Sequence, residues 1–251
     1  MAAEPLRQAR AYLAAGLSVI PIAHGTKEPA IQRLPRVYDA ESGKSRPSWR
    51  MFQDRLPSDQ ELNDWFDGPE QGIGIICGSV SGGLVVLDLE SPELYERWRT
   101  FALTLLDADL LDSLPVVASG KGRHVYLRMA EPLGNRKLAM AERVVLAETR
   151  GQGGYIVAPP SLHPSGKHYA LLSGDLSVIP LLDPSAAQAL LDAARALAPA
   201  HDSNLSAETQ CVSALSVPGA PDQVGKNRLV LGLPLDDDAL YSVVVPHCIS
   251  L

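Results

Sequence analysis

Leu84-Val85-Val86-Leu87-Asp88-Leu89-Glu90-Ser91-Pro92, residues 84–92, carries two structural signals in one short stretch. The apolar run through Leu89 reads as a buried strand, and Ser91-Pro92 then supplies a helix cap followed by a first-turn proline. Strand side chains alternate, so Asp88 and Glu90, one residue apart, turn to the same face. Paired carboxylates at a strand end suit a hard divalent cation such as magnesium. A plainer reading also stands: Asp88 ends the strand, and Glu90 opens the helix where an acid favours the dipole.

Working outward, residues 72–77 predict a second central strand, joined to 84–89 by the turn-rich link 78–83 in the manner of a hairpin. Ser58-Asp59-Gln60-Glu61 fits a capping box and predicts a short helix to about residue 66. Residues 4–16 read as an amphipathic helix stopped by Gly16, and 17–22 as a strand. From that strand to the capping box, 23–57 is a long aperiodic excursion, basic in a chain that is not. Downstream, a helix through about residue 99 and a helical stretch near 103–112 precede a second hairpin, 116–119 and 124–128, around Gly120-Lys121-Gly122-Arg123. Strands at 143–149, 154–158 and 168–172 follow, Pro159-Pro160 makes a rigid turn with a cis bond as one option, and Asp183-Pro184 caps a final helix to about residue 197. The pattern is α+β, with antiparallel hairpins and helices outside the sheet.

Composition narrows the class. At 251 residues the chain holds one large domain or a domain with an appendage, and 46% hydrophobic with 20% charged residues excludes disorder, collagen-like repeats and a coiled-coil rod. The formal charge of −7 argues against coating nucleic acid by bulk electrostatics, so any phosphate recognition must be local. Cys77, Cys211 and Cys248 form no CxxC pair for a zinc site or disulfide framework. With no apolar run near the roughly 18 residues needed to span a bilayer, and no signal-like N-terminus, no membrane partner is expected and the location expected is cytoplasmic. From residue 201 on, two basic residues face six acidic ones, a charge of −4 that leaves −3 for 1–200. The division expected is therefore a domain over 1–200 and a linker or poorly packed extension over 201–251.

Two further groups could do chemistry. Ser119-Gly120-Lys121-Gly122-Arg123-His124 offers turn amides, two cations and an imidazole, an inventory suited to a triphosphate, although a structural hairpin would equally explain the glycines. Neither a Walker loop nor a GxGxxG fingerprint is present, which weakens kinase and dehydrogenase readings. Glu148 lies at another strand end and could complete a three-acid cluster with Asp88 and Glu90, or be a surface acid paired with Arg150.

The ordered series Gly16-Leu17-Ser18-Val19-Ile20-Pro21, Gly25-Thr26-Lys27-Glu28-Pro29, Gly72-Ile73-Gly74-Ile75, Asp88-Leu89-Glu90, Ser119 through Tyr126, Glu148 through Ser161 and His163-Pro164-Ser165-Gly166 resembles the bifunctional primase-polymerase N-terminal domain of the archaeo-eukaryotic primase superfamily, over about residues 4–182. The resemblance implies a core related to the RNA-recognition-motif fold, with the active site on the open face of its sheet. It implies Asp88, Glu90 and Glu148 as ligands of two magnesium or manganese ions, and His124 with Ser119 as contacts of the triphosphate. Arg150, Lys121, Arg123 and Lys27 would assist phosphate or template binding. The implied activity is nucleotidyl transfer from NTP or dNTP to a primer on a single-stranded DNA template, in replication of a mobile element, with a replicative helicase as a candidate partner.

Glu148 stands where the family often has aspartate, and no zinc module, helicase or clear helical accessory domain follows residue 200. Primer extension is thus better supported than autonomous initiation. The locally positive stretches are 27–55 and the tips at Lys121 and Arg136-Lys137, so template grip should be weak and salt-sensitive. A metal-dependent nuclease remains an alternative; a nicking enzyme fits less well, because His124-Val125-Tyr126 supplies one histidine rather than two. A non-catalytic nucleotide- or nucleic-acid-binding module of a truncated replication protein is the other alternative.

Overall fold

A computed structural model describes residues 3–40, 43–68 and 71–199, and the tail expected as a linker or extension lies outside these described residues. In chain order the elements are α1 (Glu4–Ala14), β1 (Val19–Ile22), β2 (Arg36–Asp39), β3 (Lys44–Pro47), α2 (Asp59–Trp65), β4 (Gly72–Ile76), β5 (Leu84–Leu89), α3 (Pro92–Ala102), α4 (Ala108–Ser113), β6 (Val116–Ala118), β7 (Arg123–Met129), β8 (Arg136–Ala141), β9 (Val144–Arg150), β10 (Tyr155–Ala158), β11 (Ala170–Ser173), β12 (Leu181–Leu182) and α5 (Pro184–Arg195). The fold is α+β with mainly antiparallel sheets, as the pattern predicts.

Seven strands form the main sheet in the order β11-β6-β7-β5-β9-β8, with β12 alongside β7; β1-β4-β10 form a second sheet, and β2-β3 a third. β5 explains why it is so apolar. Val85, Leu87 and Leu89 point into a core with Trp98 of α3 and Leu190 of α5, while Leu84 and Val86 join Tyr126, Ile73 and Ile75 in a second core shared with the smaller sheet. The Trp98 Nε1 donates to the Leu190 carbonyl at 3.1 Å and ties the two helices together. Asp183 caps α5 by accepting from the amides of Ser185 and Ala186.

The expected hairpin between 72–77 and 84–89 does not form, since β4 and β5 belong to different sheets. Gly82 and Gly83 take φ of 68° and 80°, and the buried Ser81 donates to the Ile76 carbonyl at 2.6 Å while accepting from the Ser18 amide. The link therefore carries the chain across from one sheet to the other. β8 and β12 had no reading of their own, and the excursion at 23–57 contains the β2–β3 ribbon. The helical stretch near 103–112 is confined to α4, and the Pro159–Pro160 bond is cis. Among the described residues no helix is long and apolar enough to cross a membrane.

The capping box is present: Ser58 Oγ accepts from the Glu61 amide at 3.2 Å, and the Glu61 carboxylate accepts from the Ser58 amide at 2.7 Å. Arg55 also donates twice to Glu61, and these contacts hold the Glu61 carboxyl below its ordinary value. A depressed carboxyl contributes stability that is present above its unfolded value and lost as pH falls through the folded one. Glu61→Gln should therefore cost about 1 kcal/mol at neutral pH. Chemical denaturation should show that difference closing at pH values below the ordinary glutamate value of 4.5. A gap that persists undiminished in acid would refute the charge-based account.

Candidate active site

Strand register brings the separated residues together. β5 runs antiparallel between β7 and β9, placing Asp88 directly opposite His124 on one side and Glu148 on the other. Directly opposed residues share a face with Cβ atoms about 4.5–5.5 Å apart, so His124, Asp88 and Glu148 form a lateral row. Lys137 of β8 extends that row, being opposite Glu148. Glu90, two residues beyond Asp88, completes a group in which ligand atoms of Asp88, Glu90 and Glu148 all lie within 4.8 Å of one another.

Three carboxylates this close repel one another. Burial raises the Asp88 pKa against the pull of Arg150 and Lys27. Burial likewise raises Glu90, and the negative charges of Asp88 and Glu148 push in the same direction. The Arg150 guanidinium bonds the Glu148 carboxylate, as the surface-pair reading expected, but Glu148 is only 15% exposed and stands inside the acid group. Opposed carboxyl charge and partial burial make a set of hard oxygen donors that fits a divalent cation.

His124 is buried, and its Nε2 lies 3.5 Å from Asp88 Oδ1. Burial, reinforced by Lys27 and Arg150, lowers its pKa to about 3, so the ring is neutral at physiological pH. Its Nδ1 has no hydrogen-bond partner among the described residues.

The glycine turn beside it is drawn tight by Ser119, whose Oγ accepts from the amides of Gly122 at 2.9 Å and Lys121 at 3.4 Å. Gly120 and Gly122 are explained by close approach. A Cβ on Gly120 would enter the His163 ring, and one on Gly122 would enter the backbone of Leu89 and Glu90. The turn thus rests on the end of β5, next to the acids.

The other cations divide. Lys27 and Arg150 line a cavity of about 280 Å³ with Asp88, His124, Trp49 and Tyr155. Lys121 is exposed at the turn, where its charge reaches Glu90 and His163. Arg123 is a correction: it stands opposite Leu89, on the reverse face from His124, and its charge acts on Glu93 and Tyr95 of α3. Strand alternation forbids Arg123 and His124 from facing the same way.

Several residues at the site carried no sequence assignment. Trp49 meets Tyr155 edge-on with ring centroids 5.2 Å apart, and the Tyr155 hydroxyl donates to the Lys27 carbonyl at 3.0 Å, holding the 23–57 excursion over the cavity. His163 accepts at Nδ1 from the Ser165 amide at 3.0 Å, and the Tyr169 ring lies between His163 and His124 at 5.6 and 5.7 Å. The His-Pro-Ser-Gly stretch was visible in the sequence; nothing local showed that it returns to the glycine turn.

Residues 9–200 match the family model for the N-terminal domain of bifunctional DNA primase/polymerase. No curated protein matches the chain.

Proposed function

The chain belongs to the bifunctional DNA primase/polymerase N-terminal family, and from that premise we propose that residues 1–200 form a nucleotidyltransferase domain that extends a primer on a single-stranded DNA template. The observation that carries the reading is the gathering of Asp88, Glu90 and Glu148 beside a neutral His124 and a cation-rimmed cavity. The three acids would hold two magnesium or manganese ions. When bound, such ions activate the primer 3′ hydroxyl and neutralise the triphosphate during in-line displacement of pyrophosphate.

The chain's own residues supply position and field. His124, neutral, contributes a hydrogen bond at the triphosphate without adding charge, and its ring is held between Asp88 and Tyr169. Lys27, Arg150 and Lys121 attract the phosphates, with Arg150 also orienting Glu148. Ser119 acts by holding the glycine turn in shape, its Oγ taking up the Lys121 and Gly122 amides. Arg123, on the reverse face of β7, donates to the Gly122 carbonyl at 3.0 Å and is given no phosphate contact in this reading. A cytoplasmic setting, a helicase partner and a linker role for 201–251 complete the proposal.

A labelled primer on a single-stranded template with nucleotides and magnesium or manganese should be extended, and chelation should stop it. Strand shortening would point instead to a nuclease, and a mobility shift without product to a binding module. Manganese should also stabilise the protein by about 2.7 kcal/mol at a hundredfold excess over its dissociation constant. A thermal scan with and without the ion checks that separately from turnover.

A further inference from the structure

β2 and β3 pair only with each other and with neither larger sheet. A lone two-stranded ribbon is marginal in water, and this one gains little burial: Arg36, Val37, Tyr38, Lys44, Ser45 and Arg46 are all exposed, Tyr38 to 67%. Exposure of this kind requires another reason for the sequence. Arg33 and Arg55, which flank the ribbon, are engaged with Asp67 and Glu61. No ion pair among the described residues uses Arg36, Lys44, Arg46 or Arg50, although acidic residues outnumber basic ones by 29 to 22.

Register sorts these groups. Tyr38 opposes Ser45 and Arg36 opposes Pro47, so Arg36 and Tyr38 share one face of the ribbon, while Arg46 and Lys44 share the other with Val37 and Asp39. β3 then runs through Ser48 to Trp49, which lines the cavity containing Asp88. An exposed aromatic flanked by exposed cations, leading into a cavity beside the acids, matches the chemistry of an unpaired nucleic-acid strand: rings stack on bases and cations follow phosphates. A membrane surface would call for a broader apolar face than Val37 and Tyr38 provide.

We propose that the β2–β3 ribbon is a docking arm for single-stranded DNA, with Tyr38 stacking on a base and Arg36, Lys44 and Arg46 neutralising phosphates. The identity of that strand as template rests on the nucleotidyltransferase reading; its binding to the ribbon does not.

Fluorescence anisotropy of the full chain with a labelled oligothymidylate, titrated over salt without nucleotide or divalent ion, tests the arm directly. Changing Arg36, Lys44 and Arg46 together to glutamine should weaken binding about tenfold or more at low salt and make the log–log salt slope shallower by about 2. Tyr38→Ala should weaken single-strand binding by about fivefold or more while leaving the slope unchanged. Unaltered affinity and slope in the triple variant would overturn the proposal, as would a Tyr38→Ala loss that is equal for duplex. All four side chains are exposed, so melting curves should match the parent and exclude misfolding as the cause. Wild-type primer extension with ribbon-independent binding would remove the arm alone; ribbon-dependent binding without extension would remove the polymerase reading alone.

Discussion

Asp88→Asn is expected to lower nucleotide incorporation by about 10³-fold or more while leaving the melting temperature unchanged or slightly raised. Asparagine keeps the shape of the side chain and removes its charge. Asp88 is the centre of the row, opposed by His124 and Glu148 at once, so no neighbouring carboxylate can replace it as a cation ligand without moving a strand. Stability should behave differently from activity. A carboxyl whose folded pKa is raised by burial destabilises the fold once ionised, and at neutral pH the substitution removes that penalty. It also removes the repulsion that Asp88 exerts on Glu90. Primer extension measured beside thermal scans with and without manganese would show lost turnover, an intact apo transition and a lost manganese-induced shift. Retained incorporation would refute the metal assignment, and a much lower apo melting temperature would make Asp88 a structural residue.

Gly122→Ala should damage both activity and stability. The added methyl meets the Leu89 carbonyl and the Glu90 backbone, neither of which can rotate away as a flexible side chain would. Relief requires the glycine turn to lift off the end of β5, and Ser119 then loses its bond from the Gly122 amide. Overpacking against backbone costs roughly 1–3 kcal/mol, which in a domain of this size lowers the melting temperature by about 2–4 °C for each kcal/mol. Because Glu90 and His124 adjoin the turn, a shift on the order of 1 Å should reduce incorporation by about 10²-fold. A variant with parental melting and turnover would show that the turn is not coupled to the acids. Gly166→Ala makes a useful contrast, since its methyl would meet nothing within 4 Å and any cost there comes from its φ of 83°.

The elements that could be read along the chain are those whose causes are local. Ser58 and Glu61 cap α2 through atoms three residues apart, Asp183 caps α5 in the same way, and the β6–β7 hairpin is closed by its own turn. The alternation of Asp88 and Glu90 about Leu89 needed only the period of a strand. The same period applied to Arg123 and His124 excludes their acting on one face, a consequence that matching the motif alone had left out. The link at 78–83 misled because its glycines fit a hairpin and a sheet-to-sheet crossing equally well. Ser81 decides between them by bonding to Ile76 and Ser18, partners that become neighbours only after folding.

Residue type and spacing along the chain were enough to establish an α+β domain, Asp88, Glu148 and His124 on strands with Glu90 just beyond one, and a glycine turn between two of the strands. Whether Glu148 would meet Asp88 depended on β9 choosing β5 as a partner in one register, and a slip by a single residue would have turned the carboxylate to the helix-covered face. Trp49, His163 and the isolated ribbon likewise gain their positions from contacts made across the fold. Local free energies set which elements form; long-range burial sets which of them touch, because removing β5 from water on both faces selects a single arrangement of neighbours.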